Sequence, residues 1–95
     1  MAEALSITLY YAGRSLNSAR ALKQLERIGL EHGLDPDAVE YVDVFDQPQR
    51  ALDDRVMLTP ALRIAFGDET SWLFGDLSDT RALLDVLKRA SPDPA

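Results

Sequence analysis

The chain has 95 residues, 46% hydrophobic and 27% charged, an ordinary globular composition with room for one domain and one modest core. Sixteen acids against ten bases give a net charge of −6, which opposes attraction to nucleic acid or anionic lipid, and no window approaches the roughly 18 apolar residues of a membrane span. With no cysteine and only His32 as imidazole, disulfide, thiolate and histidine-cluster metal chemistry are excluded, and no cofactor is implied.

Met1-Ala2-Glu3-Ala4 places no base ahead of an apolar run, so no signal peptide is indicated and a cytoplasmic protein is expected. Leu5 to Tyr11 alternates apolar and polar residues and is rich in β-branched and aromatic side chains, which predicts a strand. Ala12-Gly13-Arg14-Ser15 breaks the pattern, and Ser15 or Asn17 can cap a helix whose apolar positions Ala19, Leu22, Leu25 and Ile28 carry it to about Leu30. Gly29, Gly33 and Asp35-Pro36-Asp37 supply stop and turn chemistry, so a second strand is predicted from Val39 to Phe45.

Asp46-Gln47-Pro48-Gln49 resembles a capping box with proline in the first turn, opening a short helix. Leu52 and Val56, one turn apart, are its expected anchors to the sheet, and Gln49, Arg50, Asp53 and Asp54 its exposed residues. Thr59-Pro60 then forms a corner, because proline suits the first residue of a strand but not its interior. Two strand-like runs, 61–66 and 70–74, flank Gly67-Asp68-Glu69 and read as a β-hairpin. Ser78 can cap a last helix with Leu83, Leu84, Leu87 and Ala90 on its apolar face and Lys88-Arg89 near its C-terminus, and 91–95 is expected to be a frayed, flexible tail.

The order βαβαββα predicts an α/β, thioredoxin-like fold, a four-stranded mixed sheet with helices on both faces, as a single domain over 1–90. In that fold the corner at Thr59-Pro60 is commonly cis. A redox thioredoxin carries a cysteine pair after its first strand, where this chain has Ala12 to Ser15; exchange requires a thiolate, so that chemistry is gone.

Leu9-Tyr10-Tyr11-Ala12-Gly13, then Asn17-Ser18-Ala19-Arg20-Ala21-Leu22, Asp43-Val44, Pro48-Gln49, Thr59-Pro60-Ala61-Leu62 and Gly75-Asp76-Leu77-Ser78 resemble, in order and spacing, the bacterial clock-protein family KaiB. The resemblance covers about four fifths of the chain. It implies a non-enzymatic protein that docks on the ring of a KaiC-like ATPase and competes there with the thioredoxin-like sensor domain of a histidine kinase. It also implies two folds, a tetrameric ground state and a thioredoxin-like binding state, and so a homo-oligomer as one form. Two features of the sequence favour the second fold: Gly67-Asp68-Glu69 turns a hairpin easily, and Val86 and Lys88 suit a helix where clock members carry a glycine and an acid.

By that resemblance Arg55 lies where the family presents a base to the ATPase, and Gln49, Asp54 and Arg55 form the expected partner-binding surface beside the Thr59-Pro60 corner. No catalytic or metal-binding residue is expected. Ser15 and Ser18 lack a base and are accounted for by capping, Asp53-Asp54 is a solvated pair, His32 ends the first helix, and Trp72 is a half-buried core residue. Two other functions fit the same fold: a detached sensor module for a histidine kinase, and a redox-inactive ligand binder holding a peptide-like molecule such as glutathione at Thr59-Pro60.

Overall fold

In a computed structural model, which describes residues 5–90, the chain forms β1 (Leu5–Tyr11), α1 (Leu16–Glu31), β2 (Val39–Asp43), α2 (Pro48–Asp53), β3 (Ala61–Phe66), β4 (Glu69–Phe74) and α3 (Thr80–Ala90), with a 3-10 turn, Pro36–Ala38, before β2. The sheet order is β2-β1-β3-β4; β1 and β2 are parallel, and the β1–β3 and β3–β4 pairs are antiparallel. This is the thioredoxin-like arrangement predicted above. The tail over 91–95 lies outside the described residues.

Helix α1 begins where Ser15, in an extended conformation, accepts the Ser18 amide on its hydroxyl at 3.2 Å. It ends one residue beyond the predicted Leu30: Gly33 turns left-handed at φ +75° and the Leu34 amide reaches back to the Gly29 carbonyl at 2.8 Å. Its buried face is Ser18, Ala21, Leu25 and Ile28. Ala19, predicted on that face, is exposed, because the Ser18 hydroxyl turns inward to accept the Ala12 amide at 3.0 Å and so sets the rotation of the first turn.

Three predicted boundaries are corrected. Strand β2 stops at Asp43 rather than Phe45, since the Asp43 carboxylate accepts the amides of Phe45 and Gly13 at 3.0 and 3.2 Å and bends the chain out of the sheet. Helix α2 has Gln47 at its N-cap with no side-chain cap bond, so Asp46 does not form a capping box; the Asp43 carbonyl instead takes the amides of Asp46 and Gln47 at 3.0 and 2.9 Å. Helix α3 is capped by Asp79, whose carboxylate accepts the Ala82 amide at 3.1 Å, rather than by Ser78.

Period-two alternation sorts the strands onto two faces. Ile7, Leu9, Leu62 and Ile64 point to one side and form the main core with Ala21, Leu25 and Ile28 of α1, Leu83 and Val86 of α3, and Leu77. Tyr10, Val42 and Ala61 point to the other, packed by Val44, Val56 and Trp72. Tyr10, Trp72 and Phe74 stack in a row, with centroids 6.0 and 5.9 Å apart. Trp72 is half-buried, as expected of it. This second face is the one α2 crosses.

Candidate functional site

Helix α2 has six residues, none of them buried, too few to hold it by an apolar stripe. Leu52, predicted as an anchor, is 72% exposed; Val56, beyond the helix end, is the only one of the two to pack on the sheet. The hold is polar instead. The Tyr10 hydroxyl donates a short hydrogen bond to Asp54, and Arg50 donates to the same carboxylate at 3.4 Å while gripping Glu40 of β2 through two nitrogens at 2.8 and 2.5 Å. Burial, reinforced by the bond to Asp54, pushes the Tyr10 phenol up to about 12. The Arg50 hydrogen bonds hold the Glu40 carboxyl below the ordinary range and raise the guanidinium in turn.

The predicted partner-binding residues divide accordingly. Gln49 is exposed and spans one turn to donate to Asp53 at 2.8 Å. Asp54, expected to be exposed, is half-buried and faces the sheet, because Tyr10 and Arg50 hold it there. Arg55 is exposed and left-handed at φ +59°. Its amide meets the Leu52 carbonyl at 3.1 Å and the Val56 amide meets Ala51 at 2.9 Å, a closing motif whose left-handed position ordinarily belongs to glycine. Tyr10–Asp54, the tie that matters most here, was not foreseen; 44 residues separate the partners, and no local pattern announces such a pair.

After Arg55 the chain exposes Met57 (87%) and Leu58 (62%), and Leu52 and Phe45 are exposed large apolar residues as well. Thr59 is exposed, and the Thr59–Pro60 peptide is cis, as expected. Pro60 is buried and its carbonyl accepts the Gly75 amide at 2.9 Å, which fastens the corner to the end of β4.

The loop after β1 is fully engaged in shaping itself. Ser15 caps α1, Ser18 binds Ala12, Gly13 (φ +51°) binds Asp43, and the Phe45 ring lies over Gly13. His32 sits at the far end of α1, so neither serine has an imidazole beside it. Among the described residues no group of three or more acidic or histidine side chains could hold a metal, and no helix is long and apolar enough to cross a membrane.

Together the mixed sheet and the cis corner define a thioredoxin-like α/β domain, with no thiol in its first loop. Solved structures agree on the fold: a thioredoxin of Fasciola hepatica superposes with TM-score 0.75 at 16% identity, over 92% of this chain and 81% of its own. The N-terminal domain of Synechococcus elongatus SasA superposes with TM-score 0.66 at 17% identity, over 100% of this chain and 90% of its own. Residues 8–89 match the KaiB domain, and the chain belongs to the KaiB family. It is 36% identical over 78 residues to the circadian clock protein KaiB3 of Synechocystis and 38% identical over 78 residues to the circadian clock oscillator protein KaiB of a Synechococcus strain, spanning 82% of this chain and 76% and 71% of theirs.

Proposed function

We propose that this chain is a non-enzymatic, KaiB-like interaction module of the bacterial cytoplasm, one domain over 1–90, that docks on a KaiC-like ATPase ring and modulates clock or stress signalling. The docking surface is the outer side of α2 and the corner after it, with Arg55 at its centre and Gln49 at its rim. Asp54 serves this surface from beneath, by fixing α2 on the sheet.

The observation that carries this reading is Arg55. A side chain at a left-handed position costs on the order of 1 kcal/mol relative to glycine. Among the described residues Arg55 has no ion pair that would offset the cost, and its neighbours in sequence Leu52, Met57 and Leu58 are exposed. Contact with an acidic group on a partner supplies the missing reason, with the apolar neighbours excluding water around the pair.

Titration against a KaiC-like ATPase in the presence of ATP tests this. Arg55→Glu is expected to weaken binding by about thirtyfold, roughly 2 kcal/mol, while moving stability by no more than about 0.5 kcal/mol. Equal affinity of the two proteins removes the surface, and no binding by the wild type at roughly 50 micromolar removes the partner. The overlap with 90% of the SasA N-terminal domain favours a second reading, in which the partner is a histidine kinase; the same variant titrated against a kinase module separates the two. Insulin reduction and glutathione conjugation should stay at background, and turnover lost in Ser15→Ala would overturn the non-enzymatic assignment.

A further inference from the structure

A different part of the molecule, the free edge of β4, carries a second binding surface. Among the described residues the sheet order leaves β4 with β3 as its only neighbour. The Gly75 amide bonds to the Pro60 carbonyl, and the register places Phe74 opposite Ala61 and Leu73 opposite Leu62. In an antiparallel pair the residues that exchange backbone bonds alternate, so Leu73, Ser71 and Glu69 turn theirs toward β3 and Thr70, Trp72 and Phe74 turn theirs outward. Three consecutive alternate residues therefore present amides and carbonyls along an open edge.

Soluble proteins blunt such edges with lysine, proline, inward charges or short strands. The other edge of this sheet, β2, follows that rule: it has five residues, two of them acidic, and Arg50 reaches across to Glu40. Strand β4 does not. Its six residues, Glu-Thr-Ser-Trp-Leu-Phe, carry one charge, at the end, and Phe74 is 54% exposed.

The charges flanking the edge say what fits it. Asp68 and Glu69 stand exposed at one end, and at the other Asp76 is kept ionised by hydrogen bonds from Ser78. A second copy of the chain fits badly: antiparallel self-pairing centred on Trp72 sets Asp68 against Asp76 of the other copy at both ends and brings together two chains of charge −6. We propose that β4 accepts, as an antiparallel fifth strand, an extended segment of a partner protein with an apolar or aromatic centre to meet Trp72 and basic residues at both ends to meet these acids. Backbone bonds at Thr70, Trp72 and Phe74 give the affinity, and the acids select and steer the basic segment.

The full chain is titrated with the peptide acetyl-Lys-Lys-Val-Tyr-Val-Lys-Lys-amide and with its counterpart bearing Glu for every Lys, following amide shifts and exchange by NMR. Exchange at Thr70, Trp72 and Phe74 should slow with the lysine peptide, and the glutamate peptide should bind at least about tenfold more weakly. Thr70→Pro removes one outward donor from an edge position that proline tolerates, so the β3–β4 ladder persists while affinity falls about tenfold. Glu69→Lys, which leaves the backbone alone, should weaken the lysine peptide severalfold. No slowing at about 1 mM peptide, slowing confined to other strands, or equal binding of both peptides would each overturn the proposal. So would protection of the same amides by raising the protein concentration alone, which would make the occupant a second copy.

Discussion

Over one face of the sheet, α1 and α3 lay Ala21, Leu25, Ile28, Leu83 and Val86 onto Ile7, Leu9, Leu62 and Ile64; over the other, α2 contributes no buried residue and is tied down by Tyr10 to Asp54 and by Glu40 to Arg50. The first closure scales with apolar area and is indifferent to pH. The second depends on direction and protonation, and each tie can be cut by removing one atom or one proton. An element held in the second way keeps its outer side free of structural duty, and the proposed partner surface lies on that side.

The contrast breaks most visibly on truncation. Leu83→Ala, at a fully buried position, should cost about 2–5 kcal/mol in urea denaturation, whereas Leu52→Ala should stay within about 0.5 kcal/mol. Equal costs would mean that α2 is held by its apolar side after all. Alkali probes the polar closure through Tyr10, alongside Tyr41, whose phenol is also raised by burial. The folded chain keeps the Tyr10 proton to about pH 12 while the unfolded chain releases it near its ordinary value, so this contribution is complete below about pH 10 and lost as pH rises from there toward 12. The loss is on the order of 2–3 kcal/mol, and Leu83→Ala should leave its pH window unchanged.

Tyr10→Phe sharpens the same point, costing about 1–2 kcal/mol near neutral pH and flattening the alkaline decline. A smaller effect, of opposite sign, comes from the end of α2: Arg55→Gly should stabilise by up to about 1 kcal/mol, since glycine adopts φ +59° without strain. Smallest is the outer tie. The carboxyl of Glu40 is lowered in the fold, so its contribution is present above the usual glutamate range and lost as pH falls below it. Half-exposure screens the pair with Arg50, so Glu40→Gln should cost less than about 1 kcal/mol.

Elements governed by neighbours in sequence were legible. The alternation of β1, the hairpin after Pro60 and the Ser15 cap follow from local periodicity and turn chemistry; β4 opens one residue earlier than read, and on α3 Leu83 is buried as read together with Val86, which was not read on that face. The candidate site was read less well. Two apolar residues one turn apart are too short a pattern to tell an anchor from a solvent-facing side chain, which is why Leu52 was misplaced. Asp54 was taken for a solvated carboxylate because its partner lies on β1, reached only through the crossover of the chain. The end of β2 was overrun because Val44 and Phe45 look like strand; the bend belongs to the Asp43 carboxylate, whose two amide partners lie 2 and 30 positions away.

The Phe45 ring over Gly13 limits what the loop after β1 can accept. A Cβ at Gly13 would stand 3.2 Å from the Phe45 ring, and φ +51° is strained for any side chain. A cysteine at Gly13 itself therefore takes more than the exchange of one residue. The backbone would have to leave the left-handed region and the ring would have to move, although Asp43, which binds both the Gly13 and Phe45 amides, draws these two segments together. Any side chain introduced at that position would have to undo the bend first, so such variants pass through a stage that has lost the old loop.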